Sequence, residues 1–317
     1  MVKQAGKPAL RPEIARKNHQ SADASKIEEG PAMLPGVLVG ASPGEACRPA
    51  VRRQPLRSGC HLVAYYATLL LFGAFGLGLS LFCLLTGWLP ATERRERFFQ
   101  RLIHLHFELF HWWCAFARLV YVRYRGFEHL PRGGLVIVGN HPALIDITCL
   151  LARLPEAVCI FKPAIRRNPV LGAAARRAGY LCNDGGHELV RSAAERVAAG
   201  STLVVFPEGT RTPPGEALLP FKSGFILIAR RAHVPIQLVR ITTDSDVLTK
   251  GCVWWRLPRF PAHVEVTVGP LIPTDTAART TELAAEIEAW FRVETAVAVG
   301  QTGSPASSQA DHSPSAS

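Results

Sequence analysis

The sequence predicts an α/β protein with a largely parallel central sheet flanked by helices, preceded by an N-terminal membrane helix and an interfacial helix. From Tyr121 onward, short β-rich apolar runs alternate with helical segments, the pattern of parallel strands joined by crossover helices. Ahead of them, residues 62–89 contain no charge over 28 positions, more than the roughly 20 residues a helix needs to cross the hydrocarbon core. Hydrophobic residues make up 48% of the chain and charged residues only 19%, an apolar balance for a water-soluble enzyme.

Taken in order, residues 1–60 mix Pro, Gly, Ala, Ser and scattered charges without a sustained period, which predicts disorder. Residues 61–121 are expected to form a membrane anchor. Its span, about 62–89, is too long and begins too far into the chain for a cleaved signal peptide, so it is expected to remain in the mature protein. Arg48, Arg52, Arg53 and Arg57 on one side are matched by Arg94, Arg95, Arg97 and Arg101 on the other, so the positive-inside rule assigns no orientation. One resolution is that the segment bends at Gly73, Gly76 and Gly78 and returns. A second helix, about 98–119, includes the run Leu102 to Ala117. It is too short and polar to span but suited to the interface, with Trp112 and Trp113 at headgroup level.

In that helix His104, Glu108 and His111 share a face, with Glu-x-x-His spacing between the last two. A di-iron site needs a second such helix and further carboxylates, which the membrane region does not offer, so no metal is expected and these residues are assigned to water or headgroups. Residues 122–298 then form the α/β domain, with strands expected at 135–138, 158–161, 180–182, 202–206, 235–241 and 264–268. Helices are expected near 143–154, 170–178, 188–199, 223–233 and 282–293. The Ser/Pro-rich residues 299–317 are expected to be a disordered tail.

The formal net charge is +11, spread as +5 over residues 1–61, +3 over 62–130, +4 over 131–300 and −1 in the tail. No segment is a basic block and no zinc-finger or RNA-binding signature is present, so nucleic acid is not an expected partner; a mild attraction to anionic headgroups fits better. Eight cysteines without a CxxC pair read as buried or free thiols in a reducing compartment.

Two loops carry chemistry. The first apolar strand runs through Gly139 into Asn140-His141-Pro142, with Asp146 about one turn into the next helix. Ligands gather at the carboxyl ends of strands in open α/β sheets, and Pro142 suits a first helical position. A carboxylate five positions on can fix the imidazole tautomer and stabilise the imidazolium; for the pair alone, the plainer reading is that His141 caps the helix and Asp146 solvates its first turn. The second loop, Pro207-Glu208-Gly209-Thr210-Arg211, ends a strand expected to be parallel to the first, so it should converge on the same edge. Arg211 offers a planar fork for phosphate, Gly209 allows close backbone approach, and Glu208 can hold a hydroxyl or fix the arginine. The plainer reading is a local Glu208–Arg211 ion pair. No G-x-S-x-G elbow follows any of these strands, and no Walker loop or dinucleotide fingerprint is present. A base without its own nucleophile suits direct transfer to a substrate hydroxyl.

Asn140-His141 with Asp146, followed by Phe206-Pro207-Glu208-Gly209-Thr210-Arg211, resembles the glycerolipid and lysophospholipid acyltransferase family typified by 1-acylglycerol-3-phosphate acyltransferase. The similarity extends over roughly Phe127 to Leu271, including Phe161-Lys162, Asn168 to Gly172 and Val234-Pro235-Ile236. It implies transfer of a fatty acyl group from a coenzyme A or acyl-carrier-protein thioester to a lysophospholipid hydroxyl, without cofactor or metal. It also implies a membrane location with the catalytic domain facing the cytosol, where acyl thioesters are made. By the same resemblance His141 is the base and Asp146 its partner. Glu208, Gly209, Thr210 and Arg211 bind the acceptor, with Lys162 as a second phosphate contact. Asp184 stands about where many members carry a phosphate-binding arginine, which leaves room for another lysolipid. A thioesterase or lysolipid hydrolase on the same fold, and a non-catalytic membrane scaffold, are the competing readings.

Overall fold

A computed structural model describes residues 55–302 except Arg132, Trp254 and Thr276; the N-terminal segment to residue 54 and the chain after residue 302 lie outside the described residues. Seven strands form one sheet: β1 (Val120–Arg125), β2 (Leu135–Gly139), β3 (Ala157–Phe161), β4 (Leu181–Cys182), β5 (Thr202–Val205), β6 (Ile236–Thr243) and β7 (Ala262–Ile272). Their order is β1-β7-β6-β2-β5-β3-β4. The five strands from β6 to β4 are mutually parallel, while β7 runs antiparallel to β6 and parallel to β1. The expected parallel sheet is therefore present, with a reversed pair at one edge. Strand β1 was absent from the sequence-based strand list because its VYVRYR alternation belongs to a half-buried edge and lacks the continuous apolar run of the central strands.

All five residues of β2 are buried. Leu135 and Ile137 face one core and Val136 and Val138 the other, the two-sided burial that explains an unbroken apolar strand. Helices α6 (His187–Ala198), between β4 and β5, α7 (Gly224–Ala232), between β5 and β6, and α8 (Thr280–Thr302), after β7, supply Val197, Ile228 and Ile287 to the second core. The first core takes its helical residues from α1 (Pro55–Leu85), α2 (Glu93–Phe116), α3 (Ile145–Leu151) and α5 (Gly172–Arg177), with α4 (Pro163–Arg166) before α5.

Helix α1 is continuous through Gly73, Gly76 and Gly78, so the proposed bend is not seen. Its apolar stretch Gly59–Leu85 is long enough to cross a membrane, yet 22% of it is buried against protein. Contacts to the domain recur along it. Tyr66 Oη donates to the Trp255 carbonyl at 2.7 Å, Phe72 packs on Phe107 and Phe110, and Ser80 Oγ donates to the Val170 carbonyl at 2.8 Å. At Gly76 a Cβ would stand 2.3 Å from Val170 Cγ1, so the glycine is what lets the helix seat. Just past the helix, Arg177 donates to the Thr86 and Leu89 carbonyls.

Helix α2 starts at Glu93, earlier than expected, and buries Phe99, Gln100, Ile103, Phe107, His111 and Cys114 on one stripe. His104 and His111 do not face water as expected. His104 Nδ1 donates to the Leu151 carbonyl at 3.0 Å. His111 is buried, with Nε2 3.1 Å from Thr148 Oγ1; because that hydroxyl donates to the Ile145 carbonyl, His111 is the donor. None of the seven described cysteines is in a disulfide.

Candidate active site

The carboxyl ends of β2 and β5 lie side by side, with Val138 opposite Val205 in parallel register. This pairing brings the two loops together. Asn140 fastens the end of β2 to β6: its side chain donates to the Ile241 carbonyl at 2.8 Å and accepts from the Ile241 N–H at 2.7 Å. The next residue, His141, is then held just beyond a rigid strand end. Helix α3 begins at Ile145, so Pro142 sits in the loop ahead of it and is not the first helical residue expected.

His141 Nδ1 lies 2.9 Å from Asp146 Oδ2, and the same oxygen accepts the Ala143 N–H at 2.7 Å. The aspartate thus folds the loop back on the first turn of α3 and orients the imidazole. Its side chain is 0% exposed and that of His141 15%. Burial raises the Asp146 carboxyl above the ordinary carboxylate range, opposed by the hydrogen bond and charge of His141 and by the Ala143 N–H. With Nδ1 facing the carboxylate, Nε2 is the nitrogen left to accept a proton.

The face of His141 stacks on Phe206, with ring centroids 4.3 Å apart and planes at 18°. A side chain on Gly139 would crowd that ring, its Cβ falling 3.2 Å from Phe206 Cε1. Phe206 therefore fixes the second rotation of the imidazole.

Glu208 stands between the two loops. It is buried and accepts three hydrogen bonds: the His141 N–H on Oε1 at 2.8 Å, and on Oε2 the Thr212 hydroxyl at 2.7 Å and the Leu219 N–H at 3.0 Å. Thr212 N–H in turn donates to the His141 carbonyl at 2.9 Å. The carboxylate rivets the two loops together. It does not pair with Arg211, whose Nη1 donates to the Leu248 and Thr249 carbonyls at 2.8 and 3.2 Å, so the local ion pair is corrected.

Gly209 has φ +68°, a left-handed turn that suits glycine, and a Cβ there would lie 3.2 Å from Lys222 Nζ. Lys222 also donates its N–H to the Pro207 carbonyl at 3.0 Å. Thr210 lies between the Gly209 turn and Arg211. Lys162 follows β3, two strands from β2 on the same sheet edge, and is exposed. Asp184 follows β4, one strand further.

His141, Asp146 and Glu208 thus converge directly, Gly209 and Arg211 flank them, and Lys162 marks the rim. Sequence reasoning missed the roles of Asn140, Phe206, Thr212 and Lys222. Asn140 and Phe206 stand within the two motifs and Thr212 directly after the second, which was the available signal; Lys222 gave none, because only the Gly209 turn brings it near.

The α/β sheet thus carries a His–Asp pair at its carboxyl edge, braced by a buried glutamate. Residues 121–242 match the family described as Acyltransferase. A lyso-ornithine lipid O-acyltransferase of Pseudomonas aeruginosa is 33% identical over 57% of this chain and 68% of its own length. The 1-acyl-sn-glycerol-3-phosphate acyltransferase of Helicobacter pylori is 37% identical over 33% of this chain and 47% of its own; the chain thus spans about half the length of that relative. Among solved structures, the 1-acyl-sn-glycerophosphate acyltransferase of Thermotoga maritima shares the fold at TM-score 0.59, with 21% identity over 78% of this chain and 98% of that one. The chain belongs to the acyltransferase family.

Proposed function

We propose that the protein is a membrane-seated O-acyltransferase that moves a fatty acyl group from a coenzyme A or acyl-carrier-protein thioester to the free hydroxyl of a lysophospholipid. 1-Acylglycerol-3-phosphate is the leading acceptor and phosphatidic acid its product. The observation that carries this reading is the 2.9 Å contact between His141 Nδ1 and a fully buried Asp146. His141 Nε2 takes the proton of the acceptor hydroxyl, whose oxygen forms a bond to the thioester carbonyl carbon. The carbon–sulfur bond breaks as the tetrahedral intermediate collapses, and the imidazolium returns the proton to the departing thiolate. Asp146 holds the tautomer and offsets the imidazolium charge. Gly209, Thr210 and Arg211 flank the acceptor, with Lys162 as an outer phosphate contact, while Glu208 serves by holding the loops.

Helix α1 contacts the domain from Tyr66 to Ser80, and its outer face exposes Val63, Leu70, Phe75, Leu77, Leu81 and Leu84. A helix held lengthwise by the domain cannot stand across a bilayer while the domain stays in water. We therefore read α1 and α2 as lying in one leaflet, with the catalytic edge toward the cytosol.

Asp184 favours a second reading of the acceptor. An exposed carboxylate on this edge suits a headgroup bearing an amine, and the Pseudomonas relative is named for such a lipid. The test is thiol release from acyl-coenzyme A by membranes bearing wild type or His141→Ala, with lysophosphatidic acid or lyso-ornithine lipid and products resolved by mass. Acceptor-dependent release absent from the variant is expected, and the responding acceptor chooses between the readings. Release without an acceptor would make the protein a hydrolase, and silence with both acceptors would overturn the proposal.

A further inference from the structure

Between β6 and β7 the chain leaves the sheet over residues 244–261, and no motif in the sequence gives this stretch a task. It is held at both ends of its course. On the site side the Leu248 carbonyl accepts the Leu144 N–H at 3.0 Å and Arg211 Nη1 at 2.8 Å, and Thr249 forms an antiparallel bridge with Ala143. On the membrane side the Trp255 carbonyl accepts the Tyr66 hydroxyl, and the Phe260 ring packs 5.5 Å from Tyr65 and 6.0 Å from His61 of α1. The stretch is a strap from the apolar helix to the loop that carries His141.

Its exposed side chains include the apolar Val253 and Trp255, beside the charged Asp244, Arg256 and Arg259. Trp255 is 59% exposed and Val253 39%, while Leu144, three residues past His141, is 50% exposed. Across the Tyr66 contact stand the exposed Leu62 and Val63 of α1. Single exposed apolar residues are ordinary, but a row continuous with a membrane-facing helix marks a lipid contact, and tryptophan is suited to the boundary between chains and headgroups.

The geometry points to the strap as an apolar lip seated in the bilayer, formed by Leu144, Val253 and Trp255 and carried on Tyr66. The acyl chain of the acceptor stays in lipid along this lip while its hydroxyl reaches His141. Trp255 thereby contributes to selection of long-chain, bilayer-borne acceptors. The inference rests on the acyltransferase reading above. It adds that α1 braces one wall of the site, because the carbonyls gripped by Arg211 belong to the segment that α1 holds.

Two measurements on the full chain in vesicles test it. With phosphatidylcholine brominated along its acyl chains, wild-type tryptophan fluorescence should include a lipid-quenched component missing from Trp255→Phe. With Trp255→Ser, kcat/KM for a long-chain lysolipid in vesicles should fall about tenfold more than for a water-soluble short-chain acceptor of the same headgroup, the fold-change expected for losing part of a buried aromatic contact. An unchanged quenched fraction in Trp255→Phe overturns the lip, as does an equal effect of Trp255→Ser on the two acceptors. If Trp255→Ser does not fold, the quenching comparison decides alone. If wild type transfers to neither acceptor, the acyltransferase reading fails while the quenching result still stands for or against the lip.

Discussion

The backbone N–H of His141 donates to Glu208 Oε1 at 2.8 Å, across 67 positions of chain. This bond joins the loop that carries His141 to the loop that carries Arg211, and Glu208 completes it by accepting from Thr212 and Leu219. Removing a buried acceptor leaves its donors unsatisfied, at about 1–3 kcal/mol each. Glu208→Gln keeps one acceptor oxygen and places an amide N–H toward the Leu219 N–H. It should therefore lower stability by about 1–3 kcal/mol and reduce kcat together with it. Thermal unfolding and steady-state rates check this. An increase in KM alone with unchanged unfolding would instead make Glu208 a direct acceptor ligand.

His141→Ala should lower the acyl-transfer rate by roughly 10²- to 10⁴-fold, the usual contribution of a placed base, and should also cost some stability, because it strips the buried Asp146 carboxylate of its imidazole partner and Phe206 of its stack. Asp146→Asn should also lose most activity, since an amide cannot both receive the Ala143 N–H and stabilise the imidazolium as a carboxylate does. Rates and circular dichroism, measured together, separate lost chemistry from lost fold.

Burial holds the His111 imidazole down to about 4 from the model-compound value of 6.5. The unfolded chain therefore takes up this proton first as the pH falls. His111 costs nothing above about pH 6.5, and its penalty grows as pH drops toward about 4, then levels, reaching about 3 kcal/mol. His111→Gln, which can still donate to Thr148, should unfold at similar temperatures at pH 7 and lose less on acidification to pH 5. Equal acid sensitivity in the two proteins would place the effect elsewhere.

Gly76 lets α1 approach Val170. Gly76→Val should weaken the seat of α1 despite leaving a more apolar helix, and Val170→Ala should restore part of the loss by removing the methyl groups in the way. Protease cleavage near α1 in detergent, compared across the two single variants and the double variant, reads the coupling directly.

Much of the architecture was legible in sequence because its causes are local. The LVIVG strand is apolar throughout because both its faces are covered, and the alternation of strands with helical segments announced the parallel sheet. His141 and Asp146 were legible as a pair because five residues separate them across a single turn. The reversed edge of β1 and β7 was not, because an alternating strand carries no mark of the neighbour it pairs with.

Glu208 shows where local reading stops. Its residue type and loop were evident, but its partners are the His141 N–H and the Leu219 N–H, and only the register that sets Val138 beside Val205 brings the first within reach. The same holds for α1, whose apolar character is written in its composition while its seat on Val170 and Trp255 depends on surfaces built from distant parts of the chain. Sequence alone determined which side chains could do acid–base chemistry and which segment would seek lipid, since charge and hydropathy belong to residues. Tertiary structure decided which groups meet, because a hydrogen bond acts over about 3 Å and only the folded sheet brings residues 67 positions apart to that distance.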